Sequence, residues 1–326
     1  MASNPLTAFV DVHAHYIPPG YRDALAAAGN LPPDGNPNFP DWDVARTLAV
    51  MDRLGVATQM LSVSSPGVFF GDAASARKLA RMANEFAART VADHPKRFGG
   101  FASLPLPDVD SALAEIGYAL DTLKLDGFVM LTNYGGVYLG DSRLDPVFDE
   151  LNRRGAAMFI HPTSPACWER TALGYPRPMI EFMFDSTRAV VNLILSGTLE
   201  RCPNIRVIVP HAGGTLPFLA RRIVSISSIF TVDKSKCPAG VMAYLKRLNY
   251  DLAASTGTNS LGPLLELVDA SSVMFGGDYP FTPEAVVQAA LNELKDSPLL
   301  KVDDLHAIER GNATRLFPRL QAAASR

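Results

Sequence analysis

Eight short, β-rich apolar runs recur along this chain, each followed by a turn and a longer helix-like stretch. They occupy residues 8–13, 58–63, 98–103, 127–131, 157–161, 206–210, 249–253 and 272–276. Several are almost continuously apolar, such as Phe-Val-Met-Leu at 128–131 and Ile-Arg-Val-Ile-Val at 205–209. Strands read this way when helices cover their outer faces, as in a parallel sheet. Helical patterns fall at 43–54, 74–90, 108–123, 144–154, 179–196, 215–229, 239–248, 261–268, 283–292 and 303–317. The first opens on Asp43, and the fourth stops at Gly155, as helix starts and stops do. Eight strands alternating with helices match the number that closes a (β/α)8 TIM barrel, here as one domain over 1–326. A doubly wound open sheet is the alternative. It lacks its usual Gly-x-Gly-x-x-Gly after the first strand.

Two segments interrupt the rhythm. Residues 29–40 are rich in Pro, Asn and Gly, and 164–178 carry Trp168, Tyr175 and several prolines. Both read as loop insertions on the face where barrel strands end, the face that builds active sites. Composition narrows the function classes. The chain has 326 residues, 48% hydrophobic and 19% charged, so disorder and coiled coil are excluded. A net charge of −3 without a basic block gives nucleic acid no electrostatic foothold. The start, Met-Ala-Ser-Asn-Pro-Leu-Thr, lacks a secretory pattern, and no apolar stretch reaches the ~20 residues of a membrane span. Three cysteines, Cys167, Cys202 and Cys237, make no disulfide framework and point to a reducing cytoplasm.

The chemistry concentrates at the ends of the runs. Asp11-Val-His13-Ala-His15 closes the first, and alternation puts His13 and His15 on one face, where two imidazoles can share a metal ion. Of six histidines, four end proposed strands: His13, His15, His161 and His211. Barrel strand ends converge on one mouth, so these four are expected close together. His94 and His306 belong to helices or their edges. The glycines after His211 leave room for a ligand near the backbone. Asp278, in Phe-Gly-Gly-Asp-Tyr-Pro, follows the last run and can ligate a metal or move a proton. Elsewhere ordinary roles win. Gly99-Gly100 and Gly135-Gly136 are expected in turns, Cys167 as a loop thiol, and Asp121 to Asp126 and Arg221-Arg222 on solvated helix faces. No Gly-x-Ser-x-Gly elbow supports a serine nucleophile.

Together Asp11-x-His13-x-His15, His161-Pro, His211-Ala-Gly-Gly and Gly277-Asp278-Tyr-Pro resemble the amidohydrolase superfamily. They are most similar to its decarboxylase branch, typified by amino-carboxymuconate-semialdehyde decarboxylase. The resemblance spans residues 9–317. The stretches 176–188 and 210–218 look like the 6-methylsalicylate decarboxylase group. The resemblance implies one divalent metal, Zn2+ or Mn2+, held by His13, His15, His161 and Asp278, with His211 catalytic. It also implies a homodimer in which Arg222 reaches the partner's site to hold a substrate carboxylate. Binuclear relatives carry a lysine at the end of the fourth strand. Here Thr132 follows that strand, so a second metal is not expected.

The expected reaction is loss of CO2 from an ortho-hydroxybenzoate of the 6-methylsalicylate kind. The metal would chelate the substrate, and Asp278 or His211 would protonate the ring carbon. Trp168, Tyr134 and Phe182 are the candidate walls of an aromatic-sized pocket. Two alternatives stand beside this. The same ligands can activate a water to hydrolyse a lactone or amide, or the barrel can bind metal without turnover.

Overall fold

The computed structural model describes residues 9–230 and 233–322. Ala8, the expected start of the first run, lies outside the described residues, as does the opening stretch 1–7. The chain forms a (β/α)8 TIM barrel. Its strands are β1 (Phe9–His15), β2 (Val56–Ser62), β3 (Phe98–Ser103), β4 (Gly127–Leu131), β5 (Ala157–His161), β6 (Arg206–Val209), β7 (Asn249–Asp251) and β8 (Val273–Met274). Each pairs in parallel with its successor. Parallel bridges from Asp11 to Phe275 and from Ala14 to Tyr279 close the ring. The Val12 and His15 N–H groups donate to the Phe275 and Tyr279 carbonyls at 3.0 and 2.8 Å.

The last two strands are shorter than their apolar runs. Asp251 ends β7 because its carboxylate accepts the Ala253 N–H at 2.9 Å and turns the chain. Helices fill the intervals. Asp43 caps Val44–Leu54 by accepting the Arg46 N–H, and Gly55 ends that helix with φ 70°. The expected helix at 108–123 is an α-helix, Val109–Gly117, continued by a wider π turn, Tyr118–Thr122. The insertion 29–40 contains the short turn Pro33–Gly35, and 164–178 contains the helix Trp168–Thr171. Gly135 and Gly136 make the turn of a small hairpin, Asn133–Tyr134 with Val137–Tyr138.

Two expectations are corrected. Gly99 and Gly100 are not in a turn but inside β3. A Cβ on Gly99 would come within 2.3 Å of Met60 Sδ, so β3 needs glycine where it crosses the interior. Asp126 is not on a solvated face. It is half-buried, accepts the Gly100 N–H at 2.9 Å, and pairs with Arg319 at 2.9 Å. That pair anchors the C-terminal segment beneath the barrel. Leu316, Phe317 and Leu320 there join Val10, Val12, Phe101, Val129, Phe159 and Ile208 in one buried apolar cluster. Phe317 meets Phe101 edge-on at 5.7 Å. The lower opening is thereby plugged by these side chains.

Phe317→Ala removes the plug's main ring. Large-to-small changes of this kind cost about 3–5 kcal/mol, so the denaturant midpoint is expected to fall sharply. An unchanged midpoint would show that the C-terminal segment is not part of the folded core.

Candidate metal centre

A defect in β1 sets the site. Val10 and Val12 point into the barrel, so strict alternation would turn His13 and His15 outward. The β1–β2 register shifts between Asp11 and Ala14. This bulge inverts the parity, and both imidazoles face the interior. His13 packs edge-on against Phe159 at 4.8 Å, placing the histidines directly above the apolar layer. The buried Asp11 carboxylate fixes the bulge. It accepts the N–H groups of His13 and Gly277 at 3.0 and 2.9 Å and the Gln59 amide at 3.1 Å. Burial outweighs those bonds and pushes its pKa up to about 7.

His13, His15, His161 and Asp278 each offer one donor atom, and the four atoms lie within 4.8 Å of one another. The rings are held from behind. His13 Nδ1 meets Asp251 Oδ2 at 3.0 Å, and His161 Nδ1 meets the Pro162 carbonyl at 2.8 Å. His15 Nδ1 lies 3.3 Å from the Ser62 carbonyl and 3.0 Å from its hydroxyl. A carbonyl only accepts, so the proton of His15 and of His161 sits on Nδ1 and Nε2 is left as a donor toward a metal. The Nε2 atoms of His13 and His15 are buried without a hydrogen-bond partner. Asp278 Oδ1 lies 3.0 Å from His15 Nε2 and 3.5 Å from His13 Nε2.

The charge balance also calls for a cation. Among the described residues, the ion pairs of Asp251 and Asp278 are all with histidines. Burial works against a charge on His13, but those carboxylates outweigh it and raise its pKa to about 9. Burial and the neighbouring His15 and His13 push His161 well below the usual imidazole range. Burial would raise Asp278, yet His13, His15 and His211 hold it well below the usual carboxylate range. Buried nitrogens without partners beside uncompensated carboxylates are what one divalent ion satisfies. The donor set therefore fits a metal.

His211 stands apart from the four. Its Nε2 lies 4.0 Å from Asp278 Oδ2 and its Nδ1 has no partner. Asp251 accepts its backbone N–H at 3.1 Å. Among the described residues seven non-glycine residues have positive φ, and five of them (Asp34, His211, Ala212, Ala254 and Asp278) line the cavity over the cluster. Such conformations cost about 1–3 kcal/mol each and gather at functional sites. Gly276 permits a close approach between the metal-site strands. A Cβ there would lie 2.9 Å from both Asp251 Oδ1 and His13 Cβ. Gly213 and Gly214 serve packing more than ligand room. Gly213 sits against Tyr250, and a Cβ on Gly214 would strike the Met183 carbonyl at 2.6 Å.

The cavity measures about 600 Å3. Phe182 borders it with its ring 6.3 Å from His161, and Phe281 faces His15 at 5.5 Å. Two expected wall residues lie elsewhere. Tyr134 and Trp168 line a neighbouring cavity of about 510 Å3. The Tyr134 hydroxyl accepts the Leu131 N–H at 3.0 Å, and Trp168 lies under the Arg177 guanidinium at 4.0 Å. Arg222 is exposed on the helix Leu216–Ile229 and does not line this chain's cavity. The sequence reasoning missed Asp251 and Phe281. The first carried a usable signal, an acid ending the strand between the one that leads to His211 and the one that leads to Asp278. The second carried none, because its loop placement is set by tertiary contacts.

Comparison with known proteins agrees with this geometry. The sequence profile of the amidohydrolase family matches residues 10–319. A 6-methylsalicylic acid decarboxylase of Penicillium expansum is 34% identical over 319 residues, covering 96% of this chain and 97% of that protein. A 2-amino-3-carboxymuconate-6-semialdehyde decarboxylase of Dictyostelium discoideum is 30% identical over 259 residues, 77% of this chain and 70% of that protein. The crystal structure of 5-carboxyvanillate decarboxylase from Sphingomonas paucimobilis superposes with a TM-score of 0.85 at 25% identity. It covers 96% of this chain and 99% of that one.

Asp251→Asn keeps the shape behind His13 but removes the charge. Losing such a partner typically weakens metal affinity about 10- to 100-fold, measurable by competition with a chelator. Unchanged affinity would mean that Asp251 does not support the centre.

Proposed function

This chain belongs to the amidohydrolase family, and we propose that it is a metal-dependent decarboxylase of ortho-hydroxybenzoates of the 6-methylsalicylate kind. The observation that carries the proposal is the cluster of three histidines and Asp278 opening onto a cavity flanked by Phe182 and Phe281, with His211 beside Asp278. The similarity to the Penicillium expansum enzyme supports the substrate class. His13, His15, His161 and Asp278 are the ligands in this reading, and zinc and manganese both suit their N/O donors. Once bound, such an ion supplies charge that holds and polarises a phenolate and a carboxylate.

The chain's own residues do the rest. Phe182 and Phe281 hold the ring between them. Asp251 positions both His13 and His211 through its two oxygens. His211, directly or by way of the neighbouring Asp278, delivers a proton to the ring carbon bearing the carboxylate. The carbon–carboxylate bond then breaks, its electrons restore the aromatic ring, and CO2 leaves. The plugged lower opening and the buried histidines limit water at the reacting carbon. We further propose a homodimer in which Arg222 holds the substrate carboxylate of the partner's site. Ile229 and Phe230, 72% and 66% exposed on and just after the same helix, support a covered face there. No helix among the described residues is long and apolar enough to cross a membrane. The three unpaired cysteines support a reducing, cytoplasmic setting.

The test is CO2 release from 6-methylsalicylate by the metal-loaded protein. Acid release from a lactone with no CO2 from any phenolic acid would replace this reading with hydrolysis. His211→Asn is expected to keep its metal and lose about 10²–10⁴-fold in kcat, the usual worth of a positioned acid. A wild-type rate would make His211 scaffold. Arg222→Ala is expected to raise KM by about tenfold or more, the worth of a charge-assisted hydrogen bond, with kcat nearly kept. Unchanged kinetics would remove Arg222 from substrate binding.

A further inference from the structure

The cavity extends well beyond what a small ring acid fills. At its base Phe182 and Phe281 face His161 and His15, a slot for one aromatic ring. Outward of that slot four separate elements add apolar side chains, beside the polar Asn36, Asn259 and Ser260 that also line the cavity. Met179 ends the turn Arg177–Met179, Met183 lies on the helix Glu181–Leu195, Pro217 and Phe218 open the helix Leu216–Ile229, and Pro263 sits in Thr258–Leu267. Met179 and Phe218 are 62% and 85% exposed. The volume, about 600 Å3, is mid-range among cavities that hold drug-sized ligands. A single-ring acid at the base leaves this outer wall without an apolar contact from the substrate.

We propose that the preferred substrates are hydroxybenzoates carrying an extended, uncharged apolar substituent that lies along this outer wall. The inference rests on the decarboxylase reading and names its substrate class more narrowly. Two features set the chemistry. The thioethers of Met179 and Met183 adapt to chains of varied shape. Among the described residues lining the cavity there is no lysine or arginine, while Asp34 and Asp278 are both acidic. A second anionic group on the substituent therefore finds no counter-charge from this chain's own lining.

The experiment compares kcat/KM, read as CO2 release by the metal-loaded protein, for the 4-, 5- and 6-methylsalicylates and their pentyl homologues. Each methylene fully removed from water is worth about fourfold. For the half-open outer wall, at least one pentyl acid is expected to exceed its methyl counterpart tenfold or more. The same chain ended by a carboxylate is expected to lose that gain. Met179→Glu, a change at an exposed position, is expected to bring the pentyl-to-methyl ratio toward one. Pentyl acids at or below their methyl counterparts, with the methyl acids still decarboxylated, overturn this inference and leave the decarboxylase reading intact. A gain that survives Met179→Glu and also Met183→Gln overturns the assignment to this wall. No CO2 from any of the acids removes the decarboxylase reading and this inference with it.

Discussion

Two carboxylates, the buried Asp251 and the half-buried Asp278, govern this site, and most of its architecture follows from keeping them ionised away from bulk water. Asp251 and Asp278 have only histidines as ionic partners among the described residues. Burying a carboxylate is expensive unless it is paired or coordinates a metal. The protein places three imidazoles around Asp278, each held by its far nitrogen, and directs their remaining nitrogens inward. Asp251 then does two jobs with two oxygens, fixing the His13 ring and the His211 backbone. Through that one side chain a ligand and the candidate proton donor keep a fixed relation. The glycine at 276 exists because β8 must pass close to both Asp251 and His13.

Stability and chemistry are separated along the barrel axis. The lower opening is closed by an apolar plug from the C-terminal segment, locked by Arg319 onto Asp126. Above it lies a layer of side chains that includes Phe101 and Phe159, stacked at 5.4 Å. The histidines rest on that layer, so their floor is apolar. The upper rim carries the strained backbone. His211, Ala212, Ala254 and Asp278 all have left-handed conformations where the chain leaves the strands. The packed lower half offsets that cost. This division matches the way barrels let loops at the strand C-termini vary without loss of the fold.

Much of this was legible in the residues. Eight apolar runs mark the eight strands, and the four histidines ending three of them mark the mouth, because helix-covered strands have a simple pattern and converge at one end. The pairing of His13 with His15 follows from alternation, but their inward direction does not. It depends on a bulge that no periodicity announces. Phe182 was visible as an aromatic on the helix beside the mouth. Trp168 and Tyr134 were equally aromatic and equally near in sequence, yet they line a different cavity. The difference lies in tertiary partners, the Leu131 N–H for Tyr134 and Arg177 for Trp168. Asp126 looked like a surface acid because its partner, Arg319, lies far along the chain.

The central claim is that these four side chains form one metal centre on which the site is built. The most direct test is anomalous diffraction at the zinc and manganese edges from crystals of the purified protein. The account predicts a single peak per chain, about 2.0–2.2 Å from Nε2 of His13, His15 and His161 and from an Asp278 oxygen. A peak bound by other side chains, or a fully active protein with no peak at all, would contradict it.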